Sequence, residues 1–256
     1  ILVMGAKPLT LLDYIASDKI DPKNIANLVN GLAKACQRNS VALVGGETAE
    51  MPDTYCAGAH DFVGVVTGVV DKNKIIDGKN IKPGDKLIAL ESSGLHTNGF
   101  SLARYILFKQ NNFDLNSTHE HLNGVSLKDA LLAPHINYQT HVHALLDNNI
   151  EVKGMAHITG GGLIENLPRI LPDNCAVDID INSWDNNKPG IFNLLVELAD
   201  LPKHEAYRTF NMGVGYVFVL AQDQLQKAQD ILSKTDIKSY EIGEVVEFDG
   251  NIKVKL

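Results

Sequence analysis

Two glutamates three residues apart, in Val44-Gly-Gly-Glu-Thr-Ala-Glu-Met-Pro52, are the first side chains here with an evident chemical use. Hard divalent cations take oxygen ligands, and a carboxylate beside a phosphate is a natural place to hold one. The preceding run, Val41-Ala-Leu-Val44, reads as a buried strand. Gly45 and Gly46 then predict a sharp turn with amides open to an anion, and Pro52 stiffens the exit. A strand end carrying Gly-Gly-acid-Thr can hold a metal that bridges to phosphates. The alternative is a Gly-Gly turn with solvated glutamates. On the motif alone that plainer reading is favoured, because charged loop residues are mostly just hydrated.

Two further segments carry chemistry. Gly94-Leu-His-Thr-Asn-Gly-Phe-Ser-Leu-Ala-Arg104 and Ala156-His-Ile-Thr-Gly-Gly-Gly-Leu-Ile-Glu-Asn-Leu-Pro168 each join a predicted strand to a predicted helix through a polar, glycine-bearing loop. His96 can donate to a phosphate or move a proton near neutral pH; a loop histidine bonded to a backbone carbonyl is the alternative. Thr97 and Asn98 suit helix capping, which can coexist with ligand contact. His157, Thr159 and Gly160-Gly161-Gly162 lie where a strand ends and a helix opens. Free amides and the helix dipole make a phosphate cradle there, against a plain flexible turn. Arg208, Thr209 and Asn211 precede a Gly-x-Gly strand start. Arg208 suits a bidentate phosphate clamp, against an exposed arginine without a partner. His119, His121, His141 and His143 read as structural or solvated; the last two are two apart on a predicted helix and point to different faces.

These loops need elements to hold them. Residues 7–16 read as a strand continuing into a loop, and Asp21-Pro22 opens a helix with Ile25, Leu28, Val29, Leu32 and Cys36 along its apolar stripe. Residues 62–70 form a strand apolar on both faces. Turn residues from Asp77 to Asp85 put a domain boundary near residue 80. Beyond it, strands are predicted at 86–90, 152–158, 176–181, 213–220, 239–247 and 252–256. Helices are predicted from Asn98 to about Lys109 and at 127–133, 135–147 and 222–234, with a short one after the triple glycine and a surface loop at 111–126. Interspersed elements of both kinds argue for an α/β or α+β layer fold.

Composition narrows the function classes. The chain has 256 residues, 45% hydrophobic and 21% charged, which suits a globular protein with a real core. A net charge of −8 argues against a nucleic-acid surface. It leaves room for a small phosphate-bearing substrate, which a few amides and a cation can hold. Cys36, Cys56 and Cys175 are widely spaced, without a Cys-x-x-Cys, which suits a reducing cytosol better than a zinc site or disulfide framework. No apolar run approaches the roughly 20 residues that span a bilayer, and the start lacks signal-peptide character.

Together with Leu12-Asp-Tyr14, Ser92-Ser-Gly94, Leu132-Ala-Pro134 and Arg208-Thr-Phe-Asn-Met-Gly-Val-Gly215, the three motif segments resemble the phosphoribosylformylglycinamidine cyclo-ligase (aminoimidazole ribonucleotide synthetase) family. The match runs in order over nearly the whole chain. It implies a two-domain, PurM-like α/β (α+β) fold. Residues 1–80 would be the later part of an ATP-binding and dimerisation domain and 81–256 a C-terminal mixed-sheet domain. The family's N-terminal Gly-rich segment, its Asp-Gly-Val-Gly-Thr-Lys signature and an Asn-Asp pair are not found before Ile1, so the sequence is expected to represent part of a longer enzyme. The resemblance implies ATP and Mg²⁺ at Gly45, Gly46, Glu47 and Thr48, with Glu47 as metal ligand and Glu50 left open. It implies catalytic parts for His96, Thr97 and His157. Formylglycinamidine ribonucleotide would lie against Asn98, Thr159, Gly160, Gly161, Gly162, Arg208, Thr209 and Asn211. A cytoplasmic homodimer is the implied assembly. A different ATP-dependent synthetase or kinase of the same superfamily, and an inactive dimerisation fragment, are the alternatives.

Overall fold

The computed structural model describes all 256 residues. The chain divides into two compact units, residues 1–75 and 76–256. The first holds β1 (Lys7–Ser17), α1 (Pro22–Arg38), β2 (Ala42–Glu50) and β3 (His60–Val69). β1 lies between the other strands, parallel to β2 and antiparallel to β3. Two parallel neighbours need a crossover, and α1 supplies it. Its start is encoded locally: the Asp21 carboxylate accepts from the amides of Lys23 and Asn24, with Pro22 in the first turn. Cys36 is buried, as its place on the helix stripe predicts.

The expected turn at Gly45-Gly46 is not there. β2 continues through both glycines, neither of which takes a positive φ, with one irregularity in its ladder to β1 at Val44. Glu47, Thr48 and Glu50 are therefore strand residues, and Glu47 lies opposite Tyr14. The reason is long-range. A Cβ on Gly46 would sit 2.0 Å from Asp13 Oδ1 and 2.7 Å from the Asp13 carbonyl oxygen. Glycine is needed here for close approach across the β1–β2 ladder, not for bending. β3 exposes apolar side chains on both faces: Phe62 and Val66 on one, Val63, Val65 and Val69 on the other.

The second unit holds β4 (Lys86–Glu91), α2 (Phe100–Arg104), α3 (Leu127–Leu131), α4 (Gln139–Asp147), β5 (Val152–His157), α5 (Gly162–Asn166), β6 (Cys175–Ile179), α6 (Gly190–Ala199), α7 (Lys203–Thr209), β7 (Val214–Leu220), α8 (Leu225–Leu232), β8 (Ser239–Glu247) and β9 (Val254–Lys255). Its six strands run in the order β5-β7-β4-β8-β6-β9, antiparallel except for the parallel β6–β9 pair. β7 is buried along its whole length, as its unbroken apolar run requires. Leu87, Ala89, Val217 and Val219 pack with Phe192, Leu195 and Trp184 in the core. One buried ion pair lies in this unit: Lys153 Nζ is 2.6 Å from Asp85 Oδ1, and Asp85 also accepts the Lys82 amide.

Several helices differ from expectation. The helix after Asn98 starts at Phe100, behind a left-handed Gly99, so Asn98 does not cap it. It changes to π geometry over Tyr105–Gln110, which turns both Ile106 and Leu107 into the core. Residues 133–138 lie outside any helix or strand; Pro134 disfavours a helical residue at 133, and α4 begins only at Gln139. Helix α5 has five residues, too short for an appreciable dipole. The last strand shrinks to two residues.

The sheet order positions the loops. β4 and β5 both run antiparallel to β7, with Glu91 opposite Val214 and His157 opposite Tyr216. The ends of β4 and β5 and the start of β7 therefore meet at one end of the sheet. The polar segments that follow or precede them are brought together there.

Candidate functional site

The floor of this site is built on Asn211, which is 3% exposed. Its Oδ1 accepts from Ser92 Oγ at 2.8 Å and from the Gly213 amide at 2.9 Å, and its Nδ2 donates to the Gly94 carbonyl at 2.8 Å. Its hydrogen bonds are thus made to the loops after β4 and before β7. Asn211 clasps the site together and is not the free substrate contact expected. Gly99 lies against Phe210 and the Thr209 carbonyl. Asn98 Oδ1 is 3.5 Å from where a Gly160 Cβ would lie, so Asn98 faces the triple-glycine loop. Thr97 is exposed beside it.

The triple glycine serves tight packing. A Cβ on Gly162, at φ +57, would lie 1.9 Å from the Tyr207 carbonyl oxygen. The Gly162 amide donates to the Thr159 carbonyl, and Asn166 Nδ2 donates to the carbonyls of Gly160 and Gly162. The Thr159 hydroxyl donates to Asn166 Oδ1 at 3.1 Å. The helix-dipole cradle is therefore much weaker than the sequence suggests, with Gly160 its exposed part. Arg208 has partners: its Nε is 2.8 Å from Glu165 Oε1, and Glu205 lies 3.8 Å from its Nη1. This is a surface pair, with Arg208 52% exposed. Such pairs are worth about 1 kcal/mol or less and can be exchanged for a phosphate.

The densest chemistry is a group of rings. His96 stacks on His135 with centroids 4.0 Å apart, and His135 Nε2 is 3.0 Å from His157 Nε2. Tyr138 stands 6.2 Å from both His96 and His157, and Tyr216 is 6.2 Å from His157. Tyr138 Oη donates to the Glu91 carbonyl at 2.8 Å. Gly215 makes the room: a Cβ there would sit 1.8 Å from Tyr138 Oη and 2.8 Å from His96 Cε1. His96 takes a left-handed φ of +56, a strained value for a residue with a Cβ. Its Nε2 accepts from the Ser93 amide, while its buried Nδ1 has no protein partner. An unpartnered buried donor of this kind is rare and marks a place where a ligand or water is received.

Burial holds these rings neutral. It pushes His96 down to about 3, with His135 and His157 adding repulsion. It pushes His135 down to about 4, with repulsion from His157, and lowers His157 as well. The phenols of Tyr138 and Tyr216 are pushed up by burial. The cluster thus offers neutral imidazoles that can donate to an anion or take up one proton. Sequence reading found His96 and His157 but missed His135, Tyr138 and Gly215. The signal for His135 was its place straight after Leu132-Ala-Pro134, where a proline disfavours helix at residue 133.

Among the expected nucleotide ligands, Glu47 is exposed on β2 and its Oε1 accepts the Thr48 amide. Glu50 accepts the Ile20 amide at 2.8 Å, which gives it a structural use. Asp13 faces the Gly46 side of the strand and Glu47 the other. His121 pairs with Glu197, and His141 pairs with Asp236 while meeting Tyr138 edge-on with centroids 6.3 Å apart.

A two-unit chain with this mixed sheet and these converging loops defines a class. Residues 1–70 match the family model described as AIR synthase related protein, N-terminal domain, and residues 82–255 match its C-terminal domain. Solved structures share the fold. E. coli HypE, a hydrogenase maturation protein, superposes with a TM-score of 0.68 at 17% identity, over 99% of this chain and 71% of that one. Thiamine-monophosphate kinase from Stenotrophomonas maltophilia K279a gives 0.69 at 18% identity, over 99% and 73%. HypE in complex with ATP gives 0.69 at 16% identity, over 96% and 68%. Identities this low speak for the fold alone.

Sequence relatives are more specific. A phosphoribosylformylglycinamidine cyclo-ligase of Thermoanaerobacter sp. (strain X514) is 44% identical over 252 residues, 98% of this chain and 74% of the relative. That of Ligilactobacillus salivarius (strain UCC118) is 45% identical over 251 residues, 98% and 72%. The chain belongs to the phosphoribosylformylglycinamidine cyclo-ligase family.

Proposed function

We propose that the protein closes the imidazole ring of a purine precursor in the cytoplasm: formylglycinamidine ribonucleotide and ATP give aminoimidazole ribonucleotide, ADP and phosphate. The formyl amide oxygen takes the γ-phosphoryl group. The amidine nitrogen then attacks the activated carbon, a C–N bond forms, the C–O bond to phosphate breaks, and the nitrogen gives up a proton. No enzyme nucleophile is needed. The protein's task is to bring two polyanions together and to handle that proton, mostly by positioning and electrostatics. The observation that carries this function is the convergence of His96, His157, Asn98 and Gly160 at one end of the sheet, in a chain of this family.

Within it, His157 is the proton acceptor, while Thr97, Asn98 and Gly160 line the ribonucleotide side. Arg208 and Thr209 lie at the margin, where Arg208 exchanges Glu165 for the 5′-phosphate. Gly161, Gly162, Thr159 and Asn211 shape the loops. Gly45, Gly46, Glu47 and Thr48 face the nucleotide along β2. Glu47 suits a magnesium ion as one exposed carboxylate. A hydrated cation that takes its other ligands from phosphates and water needs no more from one strand. When bound, Mg²⁺ would neutralise charge on the phosphates.

Turnover of formylglycinamidine ribonucleotide with Mg-ATP by the full-length protein tests the reaction, read as stoichiometric ADP and aminoimidazole product. ATP use with a different acceptor, and none with the amidine, would overturn it. In the same assay Glu47→Gln is expected to raise the magnesium requirement on the order of tenfold, with stability within ~0.5 kcal/mol of wild type. Unchanged turnover at limiting magnesium removes Glu47 from the nucleotide site.

The exposed apolar side chains on both faces of β3 support a homodimer through residues 1–80. Sedimentation at low micromolar concentration is expected to give the mass of two full-length chains. A full-length monomer would exclude this assembly.

A further inference from the structure

His135 reaches the site from a segment that neither a helix nor a strand constrains, yet it is firmly placed. Ser93 Oγ donates to the carbonyl of Pro134 at 2.6 Å. Gly94 lets the chain pack on the Ala130 carbonyl and the Ala133 side chain, at 3.3 and 3.7 Å from its Cβ position. The His135 ring lies flat on His96, with 17° between planes. This leaves its Nε2 at 3.0 Å from His157 Nε2.

Two imidazole nitrogens at that distance must be one N–H donor and one lone pair; two donors or two lone pairs would repel. The distance alone is symmetric, and the part proposed for His157 sets the direction: a ring whose Nδ1 is to take up a proton carries its own hydrogen on Nε2. Within this unit the titratable groups facing the pair are His96, from the loop after β4, Tyr138, just before α4, and Tyr216, on β7. His141 lies behind Tyr138 and is engaged by Asp236. The Glu91 carboxylate accepts the Lys238 amide and acts on Tyr138 through its charge, while the Glu91 carbonyl accepts from Tyr138 Oη. The contact then sets the lone pair of His135 Nε2 against the Nε2 hydrogen of His157.

We propose that His135 is a positioning residue for ring closure: its Nε2 accepts the Nε2–H of His157, which fixes the tautomer and orientation of His157 and leaves Nδ1 of His157 to take the reaction's proton. The step balances. As the C–N bond forms, the proton of the attacking amidine nitrogen passes to His157 Nδ1, and phosphate leaves with the electron pair of its C–O bond. The resulting imidazolium keeps its Nε2–H on His135, which stays neutral throughout. This inference, with the direction of the hydrogen bond, rests on the reaction proposed above; the contact itself does not.

The test uses the full-length protein with His135→Phe, which keeps a flat ring over His96 but has no acceptor, and His135→Gln, which offers a carbonyl acceptor. Nitrogen-15 NMR of the histidine rings reads the tautomer and titration of His157. In His135→Phe its pKa is expected to fall by about one pH unit, and His135→Gln is expected to restore most of it. Turnover with Mg-ATP and the amidine is expected to fall on the order of tenfold in His135→Phe. KM should stay within about twofold, and the acid limb of the kcat profile should move down with the His157 titration. A His157 titration that is unchanged or raised in His135→Phe overturns the hydrogen-bond assignment. A lowered titration with an unchanged kcat profile overturns the part in closure. Wild-type protein that does not turn over the amidine sinks the reaction and His135's part in it, while the NMR result still decides the hydrogen bond.

Discussion

Gly162→Ala is expected to destabilise the protein by about 3–5 kcal/mol, through two costs that add. The backbone at Gly162 has φ +57, which is strained for any residue with a Cβ. The new methyl would also lie 1.9 Å from the Tyr207 carbonyl oxygen and 2.8 Å from that of Phe210. Both are main-chain atoms at α7 and its exit, so no side chain can swing away. Gly160→Ala is the control. Its nearest neighbour is Asn98 Oδ1 at 3.5 Å, and its φ is not positive. It should leave stability within ~0.5 kcal/mol while adding bulk where Asn98 faces the loop. Urea midpoints for the two variants separate the effects. A Gly162→Ala protein as stable as Gly160→Ala would show that α7 shifts freely, contrary to its packing.

Lys153→Met is expected to cost about 3–5 kcal/mol, because it strands a charge. Asp85 is 1% exposed and has Lys153 Nζ at 2.6 Å. Removing the ammonium leaves the carboxylate with the Lys82 amide as its remaining hydrogen bond in the fold. The double variant Asp85→Asn, Lys153→Met should recover most of the loss, since a neutral amide can still accept from Lys82 and no buried charge remains. The pair joins the start of β4 to β5. Equal instability of the single and double variants, by urea unfolding, would mean that the lysine stem matters more than its charge.

Strands were the legible part of this fold. Residues 239–247 and the run around 62–70 are rich in β-branched side chains, and period and composition agree there. Loop chemistry was legible in kind but not in use. Gly45-Gly46 carries the same letters whether a chain turns or lets a neighbour approach. The deciding atoms belong to Asp13, far back in the sequence, so no local window holds the answer. The triple glycine repeats the lesson: Tyr207 and Phe210, not a ligand, account for Gly162. Arg208 suits a phosphate clamp by sequence, but Glu165 and Glu205 reach it once α5 and α7 pack. The helix predicted at 135–147 begins only at Gln139, which leaves His135 in the irregular segment after Pro134. That His96 and His157 belong to one site followed from family resemblance. Their meeting through His135 follows only from the strand order.

That strand order also governs how the protein can be made. β4 is synthesised early, but its ladder partners β7 and β8 both come much later. The Asn211 clasp joins residues 117 and 119 positions apart. A ribosome adding ~5–20 residues per second leaves β4 unpaired for on the order of ten seconds. During that time the apolar run Leu87–Leu90 has two open edges on a nascent chain. The ring cluster cannot form before β7 emerges, so no partly made chain can bind through it. Long-range closure of this kind also slows refolding from denaturant. A chaperone that shields a strand at residues 86–91 would act at the point where this sheet is most exposed to error.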